Sequence, residues 1–146
     1  MEFIDGVKKK EIADIRDMAG GAREGQTVRM NGAVHTIRDM GEVAFVILRK
    51  AQGLVQCVYE EGKTDFDIRE LHEECTVEVT GKVKTEERAP QGFEIRLESI
   101  RILSKPAAPL PIPVSKWKLN TSLETKLALR PVSLRNVRER AKFKIQ

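Results

Sequence analysis

The stretch that most limits what this chain can fold into is 75–85, CTVEVTGKVKT. Val77, Val79, Gly81 and Val83 alternate there with Glu78, Thr80, Lys82 and Lys84. An unbroken period of two belongs to a strand with one face in an apolar core and the other in water. A helix would scatter those valines around its circumference. The period recurs. In 27–37, TVRMNGAVHTI, alternation turns Val28, Met30 and Val34 inward and Arg29, Asn31, Ala33 and His35 outward. Gly32 within that strand predicts a bulge or a sharp bend. After a turn at 38–41, residues 42–50, EVAFVILRK, put Val46 and Leu48 on one face and Val43, Phe45 and Ile47 on the other. Ala51-Gln52-Gly53 is a tight hairpin. Residues 54–59, LVQCVY, then separate Val55, Cys57 and Tyr59 from Leu54, Gln56 and Val58.

Between the third strand and the 75–85 strand the period breaks. Phe66, Ile68 and Leu71 predict a short helix capped by Thr64 or Asp65. A polar loop over 86–92, holding Glu87, Pro90 and Gly92, leads to a fifth strand at 93–102 whose phase slips near Ser99. Five strands, a bent first strand and a helix between the third and fourth predict an all-β fold: a five-stranded Greek-key barrel of the OB type. Small barrels without the helix are the competing architectures. Residues 8–18 predict a short amphipathic helix, stopped by Ala19-Gly20-Gly21, within an N-terminal extension over 1–24. The barrel occupies 25–104. Four of the six prolines fall in 104–115, SKPAAPLPIPVS, which predicts a semi-rigid hinge over 105–116 that belongs to no core. Residues 117–146 open a further unit. A turn of helix or a loop is expected at 122–130. Asn136 is placed to cap a helix with Val137, Ala141 and Ile145 four apart. The sequence stops inside that helix, so a truncated chain is expected.

Composition closes off several functions. Cys57 and Cys75 are the only cysteines, too few for a disulfide framework, and they lie in no zinc spacing. No apolar run reaches the roughly 18 residues of a membrane span. Met1 to Gly6 lack the pattern of a signal peptide, so a cytoplasmic protein is expected. His35 and His72 are the only histidines, and no phosphate-binding glycine loop is present. Catalysis and metal binding by this chain are therefore not expected. The net charge of +4 is uneven. Residues 116–146 hold nine Lys/Arg against two Asp/Glu, a net of +7, and the preceding residues sum to −3. A nucleic acid held by the barrel must then be held by particular groups rather than a broad positive field.

Those groups can be named. Phe45 and Gln56 lie on neighbouring strands, both away from the expected core. His35 is placed outward on the first strand, and Arg38 follows at its turn. An exposed aromatic ring stacks on a base, and flanking polar groups read its edge. From the residues alone, Phe45 either serves in this way or completes a core, because the second strand is apolar on both faces.

The run GAVHTIRDMGEVAFVILRKAQGLVQCV resembles the opening of the anticodon-binding domain of aspartyl- and asparaginyl-tRNA synthetases. GKVKTEERAPQGFEI resembles that family's fourth strand, loop and fifth strand. SKPAAPLPIP resembles its hinge, and LETKLALRPVSLRNVRERAKFKIQ resembles the approach to motif 1 of its class II catalytic domain. The resemblance implies that Phe45 stacks on the middle anticodon base, a uridine, and that Gln56 hydrogen-bonds it. It implies that Arg38 contacts the anticodon backbone or a base. His35 and the loop with Glu87 and Pro90 would lie near the third base, where His with Pro accompanies relaxed reading and charging of both tRNA(Asp) and tRNA(Asn). Three positions depart from the pattern. Ala33 replaces the usual Trp, Lys50 the usual Asp, and Leu-Ala-Leu-Arg-Pro the common Leu-Asp-Asn-Arg. The motifs that hold ATP and the amino acid are absent. The reading is thus a tRNA-binding domain of an aspartate–tRNA ligase, with no cofactor of its own; ATP, Mg and a homodimer belong to the full-length enzyme. The same domain of an asparaginyl enzyme, a general single-strand-binding OB module and a dimerisation module are the alternatives.

Overall fold

The computed structural model describes residues 12–145. Five strands close into a barrel: β1 Thr27–Asp39, β2 Val43–Arg49, β3 Leu54–Glu60, β4 Thr76–Thr85 and β5 Phe93–Ser104. Their order around the barrel is β1-β2-β3-β5-β4, with β4 returning to β1. Every pairing is antiparallel except that of β3 with β5. This is the expected OB arrangement, with each strand within two residues of its expected place. The alternation works as read. Val28, Met30, Val34, Ala44, Val46, Leu48, Val55, Cys57, Tyr59, Val77, Val79, Val83, Ile95 and Leu97 all enter one core.

Three register shifts interrupt the pairings, one between β1 and β2 and two between β4 and β5, where Leu103 is extra opposite Thr76 and Val77 and a second lies nearer the middle of the ladder. On β5, Thr80 of β4 pairs with Ser99 and the next residue, Gly81, pairs with Leu97, so Glu98 is extra. This is the phase slip expected near Ser99. It brings β5 hard against Gly81, where an added Cβ would overlap the Arg96 carbonyl oxygen and come within 2.7 Å of Ile95 Cγ2. The β1 bulge is not at Gly32. Val34 pairs with Leu48 and Thr36 with Ile47, so His35 is the extra residue. One extra residue reverses the phase of the strand. Core positions run Val28, Met30, Val34 before the bulge and Ile37 after it.

This bulge corrects the expected placement of His35. Its side chain is 5% exposed, not outward. Arg49 Nη1 lies 3.2 Å from His35 Nδ1. A guanidinium can only donate, so Nδ1 accepts and the ring is neutral, with its proton on Nε2. Arg49 also donates to both Glu74 oxygens, at 2.7 and 2.8 Å, and Arg135 Nη1 donates to Glu74 Oε2 at 2.9 Å. Burial, and then the charge of Arg49, lower the His35 pKa below its ordinary 6.5. Burial works to raise the Glu74 carboxyl, but hydrogen bonds from Arg49 and Arg135 outweigh it and the pKa is lowered.

The helical pieces are shorter than expected. Residues 8–11 of the expected first helix lie outside the described residues. A 3-10 stretch at Ile15–Gly21 begins at Asp14, whose carboxylate accepts from Ile15 N, and kinks at Ala19 and Gly20. Ala19 and Gly20 have non-helical backbone angles, so the first helical turn stops there as expected. Between β3 and β4 there is one 3-10 turn, Ile68–Glu70, capped by Asp67. Thr64 is engaged elsewhere, its hydroxyl donating to Leu97 O at 2.9 Å. The proline segment is not free of core either. Ile112 and Val114 are buried with Leu119 in a second cluster, flanked by Leu110, Leu129 and Val132. Three helices follow: α1 Leu123–Ala128, α2 Arg130–Ser133 and α3 Val137–Ile145. Asn136 caps α3 as expected, its Oδ1 accepting from Arg138 N and Glu139 N. Its Nδ2 donates to Val114 O and Lys116 O, tying α3 to the proline segment. The expected apolar stripe of α3 is not buried, and Ile145 is 87% exposed.

Two outcomes test this account of the barrel. Gly81→Ala should cost about 1–3 kcal/mol through overpacking, read as a lower urea midpoint; unchanged stability would contradict the close β4–β5 approach. His35 binds a proton less readily folded than unfolded. Its contribution is complete above pH 6.5 and is lost as pH falls through the lowered folded value. Stability should therefore decline from pH 7.5 to 5.5, and less so in His35→Gln. A wild-type and variant decline of equal size would contradict the neutral buried ring.

Candidate nucleic-acid interface

The reversed phase of β1 turns Thr36 and Arg38 to the outside of the barrel. Register then extends each across the sheet. Arg38 pairs with Phe45, Phe45 with Val58, Val58 with Arg96 and Arg96 with Lys82. One step along, Thr36 pairs with Ile47, Ile47 with Gln56, Gln56 with Glu94 and Glu94 with Lys84. Two cross-strand rows thus cover the outer face of β1, β2, β3, β5 and β4. Residues two apart on a strand share a face, so the rows lie side by side.

The floor of this face is apolar and its reading groups are polar. Ile47 and Val58 are buried although neither belongs to the barrel core. Phe45 is half-buried above them and likewise stands outside the core. Phe45 therefore does not complete the barrel core, and its side chain lies on the outer face. Gln56 is half-buried, and its Nε2 donates to Glu94 Oε2 at 3.0 Å. Glu94 is only 3% exposed. Its Oε1 stands 2.8 Å from Arg96 Nε, close enough to pair as ions, though the angle makes no hydrogen bond. Arg96 Nη1 also donates to Glu60 Oε1 at 2.9 Å. Hydrogen bonds from Lys63 and Arg96 hold the Glu60 carboxyl below its usual range. The chain Gln56–Glu94–Arg96–Glu60 therefore fixes the amide of Gln56. Because a carboxylate only accepts, the nitrogen must face Glu94, and the Gln56 oxygen makes no hydrogen bond among the described residues.

Arg38 is exposed at the end of the first row, beside Phe45. Glu87 and Pro90 are exposed on the loop between β4 and β5. That loop is stapled by Glu86 N to Gly92 O and by Ala89 N to Glu86 O, with Ala89 buried beneath. It adjoins the 50–53 hairpin, where Gln91 Nε2 comes closest to Gly53. The structure thus gathers Arg38, Phe45 and Gln56 on one face, sets Glu87 and Pro90 at its end, and withdraws His35 into the Arg49 network.

Glu94 and Arg96 were missed by sequence reasoning. Their signal was present in 93–97, FEIRL, where both alternate with core positions. What alternation does not convey is that β5 lies beside β3, which depends on the closed strand order. Cys57 sits inside the core behind Gln56. Burial, and then the charge of Glu94, push its thiol far up, out of reach of thiolate chemistry. Among the described residues no three His, Cys, Asp or Glu side chains are gathered as a metal ion requires, and no helix is long and apolar enough to cross a membrane.

Comparison with known proteins places the barrel in a family. Residues 28–103 match the model of the tRNA anticodon family, described as an OB-fold nucleic acid binding domain. The chain is 40% identical over 123 residues to an aspartate–tRNA(Asp/Asn) ligase of Deinococcus radiodurans, covering 84% of this chain and 27% of that protein. It is 41% identical over 124 residues to the Sulfurisphaera tokodaii enzyme of the same name, covering 84% and 29%. The chain thus spans under a third of the length of these relatives. Among solved structures, asparaginyl-tRNA synthetase from Pyrococcus horikoshii superposes with a TM-score of 0.70 at 28% identity, over 84% of this chain and 30% of that one. With more than half of its length matched, from the first barrel strand to the last, the chain belongs to the OB-fold nucleic acid binding domain family of the tRNA anticodon type.

Proposed function

We propose that this chain is the anticodon-reading domain of an aspartate–tRNA ligase, with the loop of tRNA(Asp) laid across the outer face of β1, β2, β3 and β5. The observation that carries the reading is the Gln56 amide held by Glu94 next to Phe45. A base stacked on Phe45 meets an acceptor, the Gln56 oxygen, in fixed orientation. Uracil offers a donor at N3 and carbonyl acceptors beside it. Cytosine offers an acceptor at N3 and carries its donor on the exocyclic N4, so a Gln56 oxygen directed at N3 would meet a lone pair, at a cost of about 1–3 kcal/mol. Arg38 supports the adjoining phosphate or base from the end of the row. Glu87 and Pro90 border the third base from the β4–β5 loop.

Relatives named for both tRNA(Asp) and tRNA(Asn) support extending the reading to tRNA(Asn). His35 contributes by shaping β1 rather than by touching a base. In this proposal residues 25–104 form the reading domain, 105–116 the hinge and 117–146 the opening of a catalytic domain. Activation of aspartate with ATP and Mg, transfer to tRNA and a homodimer belong to the rest of a cytoplasmic enzyme.

The test is binding of the chain to two anticodon stem-loops at one low salt concentration, one with the Asp anticodon and one with its middle uridine changed to cytidine. The uridine loop should bind at least tenfold tighter. Phe45→Ala should weaken it by about 1–3 kcal/mol, and Gln56→Ala should abolish the preference. Equal binding of the two loops by the parent chain would make this a general single-strand module.

A further inference from the structure

Two lysines complete the rows of the reading face and have no part in the reading described so far. Lys82 pairs in register with Arg96, and Lys84 with Glu94. We propose that Lys82 and Lys84 form a phosphate track along β4, which takes the phosphodiester backbone of the bound single strand on the side of the face opposite Arg38. The inference rests on the anticodon reading and deepens it, by saying where the backbone of the loop runs.

Charge pairing singles these two out. Arg96 is neutralised by Glu94 and Glu60, and Lys63 by Glu60. Further along β4, Glu78 on the same outer face is engaged by Arg29 and Arg101. Lys82 and Lys84 are exposed and make no ion pair among the described residues. The outer face of β4 therefore changes from a compensated end at Glu78 to an uncompensated cationic end where it meets the reading rows. These lysines do not serve to guard a sheet edge, the common role of lysine on an outer strand. β4 pairs with β1 on one side and β5 on the other, so it has no free edge.

Distance and shape agree. Gln56 on β3 is two strand spacings from Lys84 on β4, through Glu94, or roughly 10 Å. A base held by Gln56 has its neighbouring phosphates within that span. A recess of about 150 Å³ opens one row away, beside Lys82, with Lys63 and Arg96 in its lining together with Glu60 and Glu98. The face as a whole then has a central zone that reads a base, with its charges satisfied internally. Free cations flank it at Arg38 on one side and at Lys82 and Lys84 on the other. A single strand lying over β2, β3 and β5 meets that arrangement: its base is selected in the middle, and its phosphates reach Arg38 on β1 at one side and the β4 lysines at the other.

The test is the salt dependence of binding to the Asp anticodon stem-loop, from 50 to 200 mM salt, for the parent chain and for Lys82→Gln/Lys84→Gln. Each single-strand phosphate contact contributes about 0.7 to the slope of log K against log salt. The slope should shrink by about 1.4 in the double variant while the preference for the middle uridine persists. Lys82→Arg/Lys84→Arg should keep the parent slope. Lys116→Gln/Lys118→Gln, which removes the same charge outside the barrel, should also keep it. An unchanged slope in Lys82→Gln/Lys84→Gln would overturn the track, as would an equal fall in the control variant. Loss of uridine preference in the parent, with the slope still falling, would overturn the anticodon reading and leave the track standing. Absence of salt-dependent binding by the parent would overturn both.

Discussion

The extra residue at His35 decides what the outside of this barrel presents. Before it, β1 sends its even-numbered residues into the core; after it, its odd-numbered ones. Without that reversal Thr36 and Arg38 would point into the barrel, and Ile37 would point into water. The reading face would lose its first strand. The bulge is not left to local preference. His35 is held by Arg49, Arg49 by Glu74 in a buried two-pronged pair, and Glu74 by Arg135 from beyond the proline segment. Removing one member of a buried pair leaves a stranded charge, typically at about 3–5 kcal/mol. The same network therefore fixes the phase of β1 and ties the barrel to the C-terminal helices. The cost of a kinked strand is offset by a set of charges that need one another.

The reading face follows the same logic on a smaller scale. Gln56 could turn its amide either way in water. Glu94, itself buried and paired with Arg96, permits only one orientation. The selectivity proposed for the middle base is then a property of four side chains on two strands rather than of Gln56 alone. Phe45 supplies contact area that any base can use, and the fixed amide supplies the discrimination. The net charge of the barrel does not enter. This fits a chain whose first 115 residues are mildly acidic and whose positive charge is concentrated at its C-terminal end.

Much of this was legible in the sequence because β structure writes itself in period two. The inward side chains named for β2, β3 and β4 all enter the core, with Ala44 the one inward residue of β2 not named, and the phase slip on β5 was also legible. Alternation put Phe45 and Gln56 on the face away from the expected core, but with β2 apolar on both sides it left open whether Phe45 completes a core. Three things were not legible. A bulge has no fixed sequence mark, so Gly32 drew the expectation and His35 carried it. The Gln56–Glu94 contact joins residues 38 apart through the parallel β3–β5 pairing, which depends on barrel closure. The short helices were overread because Phe66, Ile68 and Leu71 have helical spacing. Their segment instead follows the barrel wall, with Thr64 bonded to β5 and only Ile68–Glu70 turning. Ile112 and Val114 were dismissed with their prolines, although proline restricts the backbone and does not keep the residues beside it out of a core.

The central claim is that the outer face of β2, β3 and β5, and not the basic C-terminal segment, receives the nucleic acid. The most direct measurement is a titration of the isotope-labelled chain with the Asp anticodon stem-loop, followed by amide and side-chain NMR shifts. The largest changes should fall on Arg38, Phe45, Ile47, the Gln56 side-chain amide, Val58 and Arg96, with His35 and the helices from Leu123 onward little moved. Changes confined to 116–145, with Phe45 and the Gln56 amide unmoved, would contradict the account.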